Sequence, residues 1–542
     1  MDRRYLCAGM AALASTAIWT PLLAGSKSAV TNTAVAETAY GKVRGTSEGP
    51  VKIFKGIPYG ANTANTRFMP PATPRPWRGK RDGTRYGAMA PQRKLPYEGT
   101  RALLRSWDIP QEMSEDCLAL NVWTPGLEVN ARRPVMVWLH GGGFAAGSGA
   151  ANAYDGARLA ARGDAVVVTV NHRLNIFGYL HLAKLGSPKY ADSGNVGQHD
   201  LIAALRWVRD NISAFGGDPG NVTIFGQSGG AAKVCSLLAM PAACGLFHKA
   251  VVQSGHLIWG ADPDAATDAA RELLDLLGIA SSQLAALNQL PMQQLLEAYQ
   301  KLKPASAQRL APVVDGRGLP RHPFAPDASP LAANVPLLIG INATETTTLF
   351  ADPSDFTLTW EALPARMARF LGDLDAGKVI SDYRVLMPTA SASEIFFDLT
   401  TQITMGRNAY IVADRKSALG GAPVYFYELC WQTPADGGKW RSPHTLEIPL
   451  VFDNVPRVPS MFGSATPPEA QRLADVMSEA WLAFARTGRP ATSALPEWQA
   501  YTAAARHAMR FDVQCAAVRD PLGPRIRVLE NAPEWDMTKA VL

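Results

Sequence analysis

The chain has 542 residues, enough for one large domain or roughly two to four ordinary ones. At 47% hydrophobic and 18% charged it is neither disordered nor fibrous, and a net charge of +6 spread along the chain leaves no basic stripe for nucleic acid. Forty-six glycines and 40 prolines mark a loop-rich globular protein, and the six cysteines (Cys7, Cys117, Cys235, Cys244, Cys430, Cys515) show neither CxxC nor other metal-ligand spacing.

Asp2-Arg3-Arg4 precedes the small-apolar run Cys7 to Ala24, the pattern of an export signal. Ser15, Thr16, Thr20 and Pro21 interrupt the run, which is too short to span a bilayer stably. Cleavage is expected after Ala24 or at Ala34-Val35-Ala36, and Arg3-Arg4-Tyr5-Leu6 loosely fits a twin-arginine signal. Residues 1–36 are therefore read as a signal peptide, residues 37–542 as one domain, and the destination as secreted or periplasmic. Removing residues 1–36 leaves 50 basic and 46 acidic residues, a charge of +4 that still calls for no polyanionic partner.

Next come short runs rich in turn residues, Tyr40–Gly45 and Val51–Phe54, expected to form an antiparallel pair at a sheet edge. Continuous apolar runs then follow at Pro134–Leu139, Ala165–Val170, Val222–Phe225, Ala250–Val252, Val335–Ile341 and Val424–Tyr427. Such runs suit strands buried on both faces. Helical patterns lie between several of them, as in Asp200–Asn211, where Leu201, Ala204, Leu205 and Val208 share a face. Alternation of this kind implies an α/β fold with a mostly parallel central sheet flanked by helices. Two alanine- and leucine-rich stretches, Asp262–Lys303 and Thr357–Ser417, are expected to be helical insertions around the entrance to the site. Gly226-Gln227-Ser228-Gly229-Gly230 lies between the strand Val222–Phe225 and the helix-compatible run Ala231–Met240.

Strand, tight turn and helix are the context of a nucleophile elbow. The serine is held in a strained turn, the glycines let strand and helix approach, and the helix N-terminus favours developing negative charge. His140-Gly141-Gly142-Gly143-Phe144 follows another buried-type strand, and its glycines expose backbone N–H groups as an oxyanion hole requires. No phosphate-loop or dinucleotide fingerprint accompanies it. With this elbow the chain order is serine, acid, histidine. Glu345 stands just past the C-terminal end of the strand Val335–Ile341, where open α/β sheets place active groups. Only His444 and His507 follow it. His507 lies in the polar stretch Tyr501–Arg510 and reads as a solvated surface histidine, which leaves His444 as the base.

The sequence resembles the type B carboxylesterases, the cholinesterase-like branch of the α/β-hydrolases, from about Val43 onward. Ser114-Glu115-Asp116-Cys117-Leu118 with Leu120-Asn121-Val122, Phe215-Gly216-Gly217-Asp218-Pro219, Phe225–Gly230, Val252-Gln253-Ser254-Gly255 and His444-x-x-Glu447-Ile448-Pro449 match its motifs in order. The resemblance implies an α/β-hydrolase fold and hydrolysis of carboxylic esters without cofactor or metal, through nucleophile Ser228, base and acid His444, and orienting acid Glu345. It further implies oxyanion donors on Gly142, Gly143 and Gly229, a serine supporting the acid at Ser254, and a buried structural ion pair between Arg67 and Glu115.

The chain departs from that family in three ways. No cysteine lies between Cys7 and Cys117, so the disulfide loop that carries the choline-binding aromatic is not recognisable. Gln227 stands where the family often has Glu, and Gly229-Gly230 where Ala-Gly is common.

A small-molecule or lipid-like ester is the expected partner, with no nucleic acid and no stable membrane span. Lipase, polyester or toxin esterase, and carbamate or amide hydrolase are alternatives on the same triad, because fold and triad do not set acyl size or leaving group. A non-catalytic binding relative typically lacks the serine, which this chain keeps. Metal-dependent hydrolysis has no H-E-x-x-H to use. An oxidising compartment permits a Cys235–Cys244 bond only if the helix after Ser228 ends near Met240-Pro241 and the chain folds back. A continuous helix would part their Cα atoms by roughly 13 Å, whereas a disulfide needs about 4.4–6.8 Å. Two buried thiols are the alternative.

Overall fold

The computed structural model describes residues 33–93, 99–107, 109, 112–349, 351–463 and 467–539. Residues 1–32 of the expected signal peptide lie outside them. Its last residues do not: Val35 and Ala36 sit in the first strand, and Ala36 is buried. The strands, in chain order, are β1 (Val35–Thr38), β2 (Gly41–Arg44), β3 (Thr46–Glu48), β4 (Val51–Pro58), β5 (Lys80–Asp82), β6 (Ala119–Thr124) and β7 (Arg133–Leu139). They continue with β8 (Val166–Val170), β9 (Gly217–Gln227), β10 (Lys249–Gln253), β11 (Leu337–Asn342), β12 (Val424–Leu429), β13 (His507–Phe511) and β14 (Ala516–Arg519).

A small sheet has the order β1-β2-β5, and a large one the order β14-β13-β12-β11-β10-β9-β7-β8-β6-β4-β3. From β7 to β13 the strands of the large sheet run parallel. The pairings beyond them, β8-β6, β6-β4 and β4-β3 on one flank and β13-β14 on the other, are antiparallel. Side chains of the parallel strands alternate between two apolar layers. Val135, Val137 and Leu139 of β7 face Leu201, Leu205 and Val208 of the helix Val196–Asn211 in one layer. Met136 and Trp138 face the other layer with Met477, Trp481 and Phe484 of the helix Pro468–Thr487. Full burial of each such side chain is worth about 1.5–3 kcal/mol, which explains why these strands are apolar on both faces.

The expected edge pairing is not formed. β4 pairs with β3 and β6, while β2 pairs with β1 and β5 in the separate small sheet. Gly45 is the cause: its N–H goes to Ala34 O at 2.8 Å, and a Cβ there would lie 2.3 Å from Ile53 O. The chain bends at that close approach and hands its two halves to different sheets.

From β7 the chain crosses to β8 on one side, and from β9 to β10 on the other, so the order reverses between the C-terminal ends of β7 and β9. A crevice at such a reversal is where open α/β sheets bind ligands. The two expected insertions are helical, at Pro263–Leu277 and Met292–Lys301 and at Leu363–Leu371, Ala376–Leu386, Ala392–Thr401 and Arg407–Ser417. The second group has its own small core around Leu363, Met367, Tyr383 and Phe396. No described helix is long and apolar enough to cross a membrane. The helix after Ser228 ends at Leu237 and a turn follows at Pro241–Ala243. Cys235 and Cys244 nevertheless remain free thiols, the first buried and the second exposed, and Cys117 is also free.

Candidate active site

Ser228 follows directly on β9 and begins the helix Gly229–Leu237. Its φ of 57° and ψ of −126° lie in a region that costs a non-glycine residue about 1–3 kcal/mol. The surroundings enforce it: Ser228 N–H donates to Gln253 O on β10 at 2.8 Å, and Ala232 N–H donates to Ser228 O at 3.0 Å. The flanking glycines are steric requirements. A Cβ on Gly230 would lie 1.9 Å from Leu139 O, and one on Gly226 would lie 2.6 Å from the Gly230 carbonyl carbon.

The loop after β7 lies against this elbow. Gly142 and Gly143 have φ values of 89° and 62°, and a Cβ on Gly229 would be 2.2 Å from Gly143 O. The N–H groups of Gly142 and Gly143 donate to no acceptor among the described residues. Their carbonyls do have partners. Gly142 O accepts from the N–H of Ala145 at 3.3 Å and of Ala146 at 3.1 Å, and Gly141 O lies 2.8 Å from His140 Nδ1. Burial, reinforced by the charge on Lys233, lowers the His140 pKa to about 3, so His140 is neutral and Nδ1 is the proton carrier in that contact.

Glu345 and His444, 99 residues apart, meet beyond the ends of β11 and β12. His444 Nδ1 is 2.6 Å from Glu345 Oε2, and both side chains are buried. Hydrogen bonds join their loops: Thr344 N–H donates to Ser442 O at 3.0 Å, Ser442 N–H to the Thr344 hydroxyl at 2.8 Å, and Ala343 N–H to Leu429 O at 2.9 Å. The other Glu345 oxygen accepts Asn342 N–H at 2.8 Å. With Nδ1 donating to the carboxylate, the imidazole presents Nε2 as its acceptor. The Gln227 amide nitrogen packs against the ring about equally far from both nitrogens, 3.2 Å from His444 Nε2 and 3.3 Å from Nδ1. Ser228 Oγ and His444 form no hydrogen bond among the described residues, and the side chain of the residue before the nucleophile packs against the imidazole.

Ser254 is buried with φ of 52°, and its hydroxyl lies 3.5 Å from Glu447 Oε1 rather than against Glu345. Glu447 Oε2 accepts from Asn342 Nδ2 at 2.6 Å. Burial, followed by the neighbouring Glu345 charge, raises the Glu447 pKa to about 7, against the opposing pull of His444 and the Asn342 hydrogen bond. In the sequence Glu447 is marked only by its spacing, three residues after His444. Arg67 and Glu115 form a buried pair, with Arg67 Nε 2.6 Å from Glu115 Oε2, and Arg67 Nη1 also donates to the carbonyls of Leu287 and Leu290. His507 begins β13, so it lies toward the opposite end of the parallel strands from Glu345.

A carboxylesterase family model matches residues 32–525. The chain belongs to that family. It is 38% identical over 493 residues to the para-nitrobenzyl esterase of Bacillus subtilis, covering 90% of this chain and 96% of that one. The solved carboxylesterase of Geobacillus stearothermophilus superposes with a TM-score of 0.78 at 36% identity, covering 91% of this chain and 99% of the other. An esterase from anaerobic Clostridium hathewayi that can hydrolyze aliphatic aromatic polyesters has the same TM-score at 33% identity, covering 93% and 99%. The α/β-hydrolase architecture of these carboxylesterases is thus that of this chain, a carboxylic-ester hydrolase of the type B branch.

Proposed function

We propose that this carboxylesterase cleaves esters through an acyl-enzyme on Ser228, with His444 as base and acid and Glu345 as its orienting carboxylate. The observation that supports it most is the buried 2.6 Å contact of Glu345 with His444, whose ring packs against Gln227 beside the strained turn of Ser228. Ser228 Oγ attacks the carbonyl carbon and His444 Nε2 takes its proton. The carbonyl oxygen becomes an oxyanion facing the N–H groups of Gly142, Gly143 and Gly229, each worth roughly 10²–10³ in rate by analogy with other oxyanion holes. Collapse breaks the bond to the alkoxide, which leaves as alcohol with the proton from His444. Water then attacks the acyl carbon by the same steps in reverse roles, freeing the acid and Ser228.

The substrate we infer is a small-molecule or lipid-like ester. The similarity to the Clostridium hathewayi esterase favours a polyester chain as a second reading. The charged start and apolar run before Ala24 support export to the periplasm or medium. With p-nitrophenyl esters of graded acyl length, Ser228→Ala is expected to lower turnover to the uncatalysed background while circular dichroism and Tm stay unchanged. Turnover near wild type in that variant would refute the mechanism.

A further inference from the structure

Lys233 lies one turn beyond the elbow, on the helix Gly229–Leu237, and is wholly buried. It forms no salt bridge among the described residues. Its Nζ donates to His140 O at 3.0 Å and to Gly143 O at 2.9 Å, the two carbonyls that bracket the oxyanion loop. We propose that Lys233 is a positioning residue for the oxyanion hole, its ammonium clamping the peptide groups on either side of Gly141-Gly142-Gly143 so that the N–H groups between them face the reacting carbonyl. The inference rests on the ester-hydrolase reading above.

A trans peptide points its C=O and N–H in opposite directions, so a fixed carbonyl fixes the N–H of the next residue. All four carbonyls from residue 140 to residue 143 are fixed. Lys233 takes the first and last, His140 Nδ1 takes Gly141 O, and the N–H groups of Ala145 and Ala146 take Gly142 O. Gly141 O and Gly142 O thereby set the Gly142 and Gly143 N–H groups, and Lys233 anchors the peptides at both ends of that segment, so its part is to hold the loop as a whole in place. The glycine at 229 makes room for this, because a Cβ there would lie 2.2 Å from Gly143 O and push that carbonyl off the lysine.

An unpaired buried ammonium costs free energy, which an apolar residue on this helix would avoid. Burial lowers the Lys233 pKa to about 7, so the structure bears this cost at the point where loop and elbow meet. The Phe144 ring, 5.7 Å from Nζ, offers only a weak further contact.

The test uses Lys233→Met, close in size but without donors, and Lys233→Gln, whose amide can reach one carbonyl. An alkyl trifluoromethyl ketone is the probe. Ser228 Oγ adds to its carbonyl carbon, the proton goes to His444, and the ketone oxygen becomes an oxyanion in the hole. The matching secondary alcohol, which forms no oxyanion, is the control. Lys233→Met is expected to lower kcat by roughly 10- to 100-fold with KM nearly unchanged, as a displaced catalytic geometry does. It should weaken the ketone by the same factor and leave alcohol binding alone, with Lys233→Gln in between. If Lys233→Met does not fold, Lys233→Gln carries the same comparison. Ketone affinity equal to wild type, a loss confined to KM, or failure of both variants to fold would overturn the proposal. Failure of the wild type itself to bind the ketone would instead refute the Ser228 reading on which it rests.

Discussion

Glu447→Gln tests the electrostatics of the site through stability. Glu447 is fully buried beside Glu345, and its carboxyl is raised from 4.5 to about 7. A carboxyl that holds its proton more tightly when folded makes stability fall as pH rises: between the two pKa values the native state keeps a proton that the unfolded state has lost. The slope is about −1.4 kcal/mol per pH unit over roughly 2.5 units, or about 3 kcal/mol in all. The contribution is fully present below pH 4.5 and gone above pH 7. The amide of the variant does not titrate, so the gap between wild type and variant reports Glu447 together with the Glu345 and His444 charges that face it. With an unfolding entropy of about 1 kcal/mol/K for roughly 500 residues, the wild-type Tm should lose about 3 °C relative to the variant between about pH 4.5 and 8. Scanning both proteins in parallel at fixed scan rate measures this. A Tm gap that stays constant across the range, or moves in favour of wild type with rising pH, would refute the reasoning.

Glu345→Gln should leave KM and fold in place but lower kcat by about 10⁴, as the corresponding Asp→Asn change does in serine proteases; an unaffected rate would move the acid role elsewhere. Gly142→Ala combines a φ of 89° with a Cβ 2.4 Å from Ala146 O, so kcat should drop by roughly 10²–10³, read as initial rates on a p-nitrophenyl ester. Thiol titration of the native protein should find Cys244 reacting first, because it is exposed, while burial shields Cys235 and raises its pKa to about 12. A chain starting at residue 37 should melt lower than one starting at residue 33, because β1 pairs Val35 with Arg44 and Ala36 with Val43.

The elbow was legible because its signal is local: glycine spacing between an apolar strand and a helix states the steric need that the Gly230–Leu139 approach then displays. Glu345 and His444 were legible through chain order and the end of β11, although the loops that join them are 99 residues apart. The β2–β4 pairing was misread because the bend at Gly45 is decided by Ala34 and Ile53, contacts that short-range alternation does not encode. Ala34-Val35-Ala36 serves equally as a small-residue cleavage site and as a strand start, and only tertiary pairing separates the two. Ser254 was expected to support the acid but faces Glu447, whose own protonation depends on burial that one letter of sequence does not carry. Lys233 did leave a trace, a single charge inside the apolar run Ala231–Met240, which helical patterning alone absorbed as an ordinary helix residue.

The central claim is a covalent acyl-enzyme on Ser228. Acid-quenching the wild-type protein within milliseconds of mixing with a p-nitrophenyl ester, then mapping peptides by mass spectrometry, tests it directly. The account predicts one acyl group per chain on the peptide that contains Ser228, formed with a stoichiometric burst of p-nitrophenol and absent from Ser228→Ala. A burst with the acyl group on another residue, or full turnover with no acylated peptide at any quench time, would contradict it.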